Sequence, residues 1–400
     1  MFRKILSFIV LFVFIFHSFV LANEVENENF ELNSIEVSSN TTTAPNINSR
    51  YAIVLEKSTE TVLFEKAAYT KTAMASTTKI MTAIIALENC DLKEEVNISK
   101  KAANTGGSTL GISSNTKLTM KTLLYGLLLR SGNDCAVAIA EHISGNIENF
   151  SILMNKKAKE LNLVNTSFVT PHGLDAEKHY TTAYDLALLT IYALKNETFA
   201  KIVNTKSCSI NMNGYSRDIN NTHELLGYTD GVYGVKTGFT GNAGRCLVTA
   251  CKRNDLDVII VVLGADTKKI RTQDSLNLIN YTFNNFKMMD TYDIINSNFK
   301  KINYTVNVQN SFSKAKLKLK TKENYLFPIN INDKDFSTSV YLLNNLVAPL
   351  EKESKIGVLK LELNGKTLCE NDILNVEFID KITFDEYFLY VIKKFKDTFI

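Results

Sequence analysis

The sequence predicts an α+β fold built on one antiparallel sheet, and three observations predict it. Apolar and β-branched runs at Tyr51 to Leu55 and Thr61 to Phe64 flank a polar turn, Glu56 to Glu60, and read as a hairpin. A series of apolar or amphipathic helical segments follows, between residues 73 and 194. Strand character then returns from Gly231 to Leu263 and gives way to a helix from about Arg271 to Phe286. Strands at both ends of a helical middle put the first and last segments in one sheet, with a helical subdomain between them. The 400 residues, 45% hydrophobic and 22% charged, suffice for one large domain or two of ordinary size with a sizeable core.

Taken in order, Arg3 and Lys4 precede an apolar run from Ile5 to Val20, and Val20-Leu21-Ala22 offers a small-residue cleavage site. Residues 1–22 therefore read as a secretory signal peptide, with a retained membrane anchor as the alternative. Residues 23–48 are rich in Asn, Glu, Ser and Thr and read as an exposed polar linker to a domain spanning 49–288.

The stretch from Ala73 to Leu87 organises that domain. Ile80, Ile84 and Leu87 recur at helical spacing, and Met81, Ala83, Ile85 and Ala86 fill the faces between them. A helix apolar nearly all round is a buried one. Ser76 and Lys79 fall in its first turn, three residues apart and on one face. Burial and nearby cations lower a lysine's pKa, so a neutral amine can take the serine proton. The helix N-terminus favours the oxyanion that follows. Ser-x-x-Lys alone is weak, since it recurs at Ser114, Ser297 and Ser311.

Leu118 to Leu129 forms the next helix and runs into Arg130-Ser131-Gly132-Asn133-Asp134. Further helices are expected at Ala136 to Ile143, Phe150 to Leu161 and Thr182 to Leu194. Ser144-Gly145-Asn146 reads as a helix end capped by Gly145. Strands are expected in Gly231 to Gly238, Cys246 to Ala250 and Val258 to Leu263. From 289 to 380 a small all-β domain is expected. Lys316 to Lys320 alternates, and Asn364-Gly365 sits between alternating runs. Residues 381–400 form an amphipathic helix with Phe384, Phe388, Val391, Phe395 and Phe399 on one face. It is too short and too charged to span a bilayer. It suits the membrane interface or packing on its own domain, and the aromatic run favours the membrane.

Removing residues 1–22 takes Arg3 and Lys4 from the 45 basic residues and none of the 42 acidic ones, leaving a net charge of +1. That balance argues against nucleic acid as a partner. The six cysteines suggest neither a disulfide framework nor a metal site, and the five histidines include no His-Glu-x-x-His, so neither a metal nor a cofactor is expected.

Three motifs carry the chemistry in one order: Ser76-Thr77-Thr78-Lys79 on a buried helix, Ser131-Gly132-Asn133, and Lys236-Thr237-Gly238 on a strand. The trio resembles the signature of serine penicillin-binding proteins and β-lactamases. The nearer resemblance is to the low-molecular-mass D-alanyl-D-alanine carboxypeptidases. It rests on Ala75 to Thr82, Leu128 to Asp134, Pro171 to Asp175, Tyr180 to Leu186 and Gly234 to Gly244, together with the β-rich domain and the terminal helix. It implies a β-lactamase/transpeptidase-like domain and an exported enzyme at the outer face of the cytoplasmic membrane or in the cell wall. The implied substrate is the peptidoglycan pentapeptide stem, and β-lactams would be covalent inhibitors.

The same resemblance implies the roles. Ser76 would attack, Lys79 would be the base, and Ser131 would relay a proton toward the leaving amine. Asn133 would hold the peptide backbone, and Lys236, Thr237 and Arg271 the terminal carboxylate. Gly238 would let an extended peptide lie against the strand, and the N–H groups of Ser76 and Phe239 would form the oxyanion hole. His172 matches a variable position near the deacylation water. Phe239 stands where some relatives carry histidine, and Arg245 where an aromatic is common. A class A β-lactamase needs Glu in a Glu-x-x-Leu-Asn context, and here Ala158 precedes Leu161-Asn162. A non-catalytic β-lactam sensor or wall-binding protein on the same fold is the remaining alternative, against which the intact Ser76–Lys79 pair argues.

Overall fold

The hairpin forms as its composition dictates. Strands β1 (Tyr51–Glu56) and β2 (Val62–Lys66) pair antiparallel. The turn between them closes on Glu56, whose carboxylate accepts from the backbone N–H groups of Ser58 and Thr59. The computed structural model describes residues 43–399 apart from 302–304, 321–324 and 334. The expected signal peptide and residues 23–42 of the expected linker lie outside the described residues. Packing begins at Ile47, which is buried and whose carbonyl accepts from Lys66 Nζ.

The chain divides into two compact units between Asn285 and Phe286. In the first, β1 and β2 share one antiparallel sheet with β7 (Val232–Thr240), β8 (Gly244–Arg253) and β9 (Leu256–Ala265), in the order β2-β1-β9-β8-β7. Strand β9 is buried along nearly its whole length because it is flanked on both sides and faces helices. Between the halves of the sheet lie α1 (Lys79–Asn89), α2 (Met120–Leu129), α3 (Asn133–Ser144), α4 (Ile147–Glu160), α5 (Ala183–Leu194) and α6 (Glu197–Val203). Helix α7 (Lys268–Asn285) follows β9.

Helix α1 carries buried residues at every position from Lys79 to Ala86, as its all-round apolar composition requires. Gly145 ends α3 with φ 77°, its N–H bonding to the Glu141 carbonyl at 2.8 Å, and the Asn146 side chain caps α4. Two short pairs went unread in the sequence: β3 (Glu95–Asn97) with β4 (Lys117–Thr119), and β5 (Ser207–Met212) with β6 (Tyr215–Asn220). So did α6.

The second unit opens with β10 (Phe286–Asp290) and α8 (Tyr292–Lys300). A five-stranded sheet follows, in the order β11 (Thr305–Asn307), β12 (Lys314–Leu319), β16 (Lys366–Asn375), β15 (Lys355–Leu363) and β14 (Phe336–Leu342), and β13 (Leu326–Asn330) pairs with β10. Asn364 and Gly365 make the β15–β16 turn with φ 51° and 75°, the conformation their type favours. Helix α9 (Phe384–Phe399) closes the chain, with Phe384, Phe388 and Phe395 exposed. Among the described residues no helix is long and apolar enough to cross a membrane.

Candidate active site

The nucleophile turn is a 3-10 helix, Ala75–Thr78, ahead of the α-helix that begins at Lys79. Ser76 therefore precedes the first α-helical turn rather than sitting within it. Ala75 holds φ 47° and Ser131 φ 62°. Such left-handed conformations cost non-glycine residues about 1–3 kcal/mol each and recur where geometry serves chemistry. The turn is held by its neighbours. Thr77 Oγ1 donates to the Met74 carbonyl, and Thr78 Oγ1 donates to that of Ala75 at 2.8 Å. His179 Nδ1 accepts the Val169 N–H at 2.9 Å, so its Nε2 carries the proton that reaches Thr78 Oγ1, also at 2.9 Å. Burial depresses the pKa of His179 to about 4, keeping it neutral.

Lys79 is fully buried and its ammonium nitrogen has three contacts: Ser76 Oγ at 2.8 Å, Asn133 Oδ1 at 2.7 Å and the His172 carbonyl at 2.7 Å. Asn133 Nδ2 donates to the Gly106 carbonyl at 2.8 Å, which fixes the amide with its oxygen toward Lys79. Two of the three partners can only accept. In a neutral Lys79 they take both N–H bonds, and the lone pair faces the one partner that can donate, the Ser76 hydroxyl. Burial, and then the charge of Lys236, hold the Lys79 pKa well below its ordinary value, against the opposing pull of Cys135 and Asp134.

Lys236 on β7 is also buried, and burial followed by the Arg271 charge lowers its pKa to about 7. Beyond it opens a cleft of about 150 Å³ lined by Ser76, Ser131, Thr237, Gly238, Phe239 and Arg271, with Ser108, Thr222, Arg245 and Lys268. Thr237 Oγ1 lies 2.8 Å from Thr222 Oγ1. A Cβ on Gly238 would stand 3.0 Å from the Ser76 backbone nitrogen, so the missing side chain lets β7 approach the nucleophile turn. The two departures from the family pattern meet, with the Arg245 guanidinium 3.9 Å from the centre of the Phe239 ring.

All ten residues singled out from the sequence converge on this place. His172 meets the site through its backbone. Its carbonyl, not its ring, reaches Lys79, while Nδ1 accepts the Leu174 N–H at 3.1 Å. Burial first, then Lys79 and His179, lowers the ring's pKa to about 3. Arg271 is not a surface charge: it is 4% exposed and paired with the Glu224 carboxylate, which also accepts from Thr272 Oγ1 at 2.5 Å. Burial pushes Glu224 up, but Arg271 and Thr272 outweigh it and hold the carboxyl near 2.

Three residues of the site were missed in the sequence: Glu224, His179 and Asp134. The Asp134 carboxylate accepts the backbone N–H groups of Leu110, Gly111 and Ile112 at 2.9, 2.7 and 3.1 Å, fixing the loop that carries Ser108 to the rim. Asp134 directly follows Asn133 and could have been read as a loop anchor. Nothing local marks Glu224, whose partner lies 47 residues away.

A family model described as D-alanyl-D-alanine carboxypeptidase matches residues 38–267, and one described as the C-terminal domain of penicillin-binding protein 5 matches residues 292–381. The chain is 35% identical to the D-alanyl-D-alanine carboxypeptidase DacF of Bacillus subtilis over 350 residues, covering 84% of this chain and 87% of that protein. Among solved structures, penicillin binding protein 5 from Haemophilus influenzae superposes with a TM-score of 0.70 at 27% identity, covering 85% of this chain and 99% of that one. The carboxypeptidase DacD from Francisella tularensis gives the same TM-score at 25% identity, covering 87% and 97%.

Proposed function

The chain belongs to the D-alanyl-D-alanine carboxypeptidase family, and from that premise we propose that it is a serine-type enzyme releasing the terminal D-alanine of peptidoglycan pentapeptide stems. The observation that carries this reading is the Lys79 contact set, which leaves one direction for an amine lone pair, toward Ser76. Ser76 attacks the carbonyl between the two D-alanines as Lys79 takes its proton. The backbone N–H groups of Ser76 and Phe239 receive the oxyanion. Ser131, which lines the same cleft, passes a proton to the leaving amine. Lys236, Thr237 and Arg271 take the substrate carboxylate, and water then hydrolyses the acyl-enzyme. Because β7 ends the sheet, an extended peptide can align along it. A β-lactam carries a matching carboxylate and strained amide and acylates the same serine.

We infer also that the enzyme works outside the cytoplasmic membrane, with α9 lying in the membrane interface. The exposed aromatics of α9 support this, as does the substrate, which lies outside the cell. The β-lactamase alternative loses support because Ala158 is a buried core residue of α4 and brings no carboxylate.

The test incubates the purified mature chain with a pentapeptide stem and measures free D-alanine. Wild type should release it, and Ser76→Ala should lose roughly 10⁴-fold or more of the rate, along with covalent labelling by penicillin. Labelling that persists in Ser76→Ala would move the nucleophile elsewhere. Labelling without D-alanine release in wild type would favour a sensor.

A further inference from the structure

The far ends of two catalytic helices bring together a second group of side chains. Helix α1 stops at Cys90, where the backbone turns extended. Glu94 follows in the loop before β3, and His142 occupies the last turn of α3. Their sulfur, carboxylate oxygen and imidazole nitrogen all lie within 4.8 Å of one another, with Glu94 Oε1 2.8 Å from His142 Nε2. The loop that aims them is pinned. Glu94 N–H bonds to the Asp91 carbonyl at 3.1 Å, and the carbonyls of Glu94 and Leu92 accept from Met120 and Lys121, both at 2.9 Å. Residues from three separate segments thus converge on a fixed main chain. The side chains of His142 and Glu94 are 22% and 41% exposed, so an ion can reach them from solvent.

We infer that Cys90, Glu94 and His142 form a metal site for a borderline-soft dication, Zn²⁺ above all. One sulfur, one imidazole nitrogen and one carboxylate oxygen match that ion's preferred donors, and a four-coordinate ion keeps one position for water. The His142–Glu94 contact taken as an ion pair accounts for two of the donors and gives no reason for a thiol to converge on them. On binding, the thiol proton leaves to solvent and the sulfur ligates as thiolate. His142 ligates through Nε2 as neutral imidazole, giving up its contact with Glu94 to the metal. The site is structural. It ties the end of α1 to the end of α3, whose opposite ends carry Lys79 and Asn133, themselves joined at 2.7 Å.

Metal-stripped mature chain titrated with Co²⁺ tests the site. A thiolate-to-cobalt charge-transfer band should grow to one equivalent, and Zn²⁺ should displace it and raise the Tm. Cys90→Ser and His142→Gln should lose the band, and Glu94→Gln should weaken binding roughly 10-fold or more. Cys208→Ser should keep it, Cys208 being the other cysteine that is not buried. Penicillin acylation of Cys90→Ser should match wild type. Absence of the band in wild type, or its survival in Cys90→Ser, overturns the site. Should the variants not fold, alkylation of wild-type Cys90 mapped by mass spectrometry decides: one equivalent of Zn²⁺ should protect it, and equal rates with and without zinc overturn the inference.

Discussion

Lys236 makes part of the stability depend on pH. Its folded-state pKa near 7 lies below the ordinary lysine value, so between pH 7 and 10 the unfolded chain holds a proton there that the folded chain does not. Stability from this residue therefore rises with pH across that window, and the penalty of the buried charge is fully present below it. Lys236→Met should be more stable than wild type near pH 6, and the gap in Tm should close toward pH 10. Its kcat/KM on a free-acid peptide should fall, because the carboxylate loses a charge partner. Arg271 and Glu224 form a buried pair of which neither can be spared alone. Arg271→Ala should cost about 3–5 kcal/mol in denaturant unfolding, and adding Glu224→Leu should recover much of it. The sequence exposed the residues whose chemistry is local, Ser76 with Lys79 and Lys236 with Thr237. It hid Glu224 and His179, because their roles depend on partners 47 and 101 residues away that no periodicity announces.

At the scale of elements, two glycines set how closely strand and loop approach the nucleophile turn. Gly238→Ala should slow penicillin acylation by up to roughly 10²-fold in stopped-flow, since a new Cβ at 3.0 Å presses on the Ser76 nitrogen. Gly173 is stricter: with φ +90° and a notional Cβ 1.8 Å from the Ala75 carbonyl oxygen, it admits no side chain without moving the turn. The long elements were readable because burial imposes a period on them, as in α1 and β9. The β5–β6 hairpin escaped although Asn213-Gly214 marks its turn and Cys208, Ile210 and Met212 alternate with polar residues, because β6 answers with one buried apolar residue, Ile219, among polar ones. The β3–β4 pair is three residues a side, too short to show alternation.

For the molecule as a whole, every site residue belongs to the first unit, so the tail should be dispensable for chemistry. Deleting 384–400 should leave hydrolysis of a soluble peptide unchanged and abolish co-sedimentation with liposomes. Each large apolar side chain on α9 offers roughly 1.5–3 kcal/mol on full burial. Lys393, Lys394 and Lys396 balance Asp385, Glu386 and Asp397, so binding of the intact chain should survive high salt. Equal sedimentation of the intact and shortened chains would assign the aromatic face to another role. The two-domain plan was legible from the change of pattern near residue 290, whereas α8 was not, since its nine residues bury Ile295 alone.

Strand β7 must end its sheet if a peptide is to lie beside it, and the same open row of backbone groups is a template for a strand from any passing chain. The opening that admits a substrate strand is thus also the place where the molecule is exposed to self-association, so a peptide that occupies this edge should suppress aggregation as well as turnover.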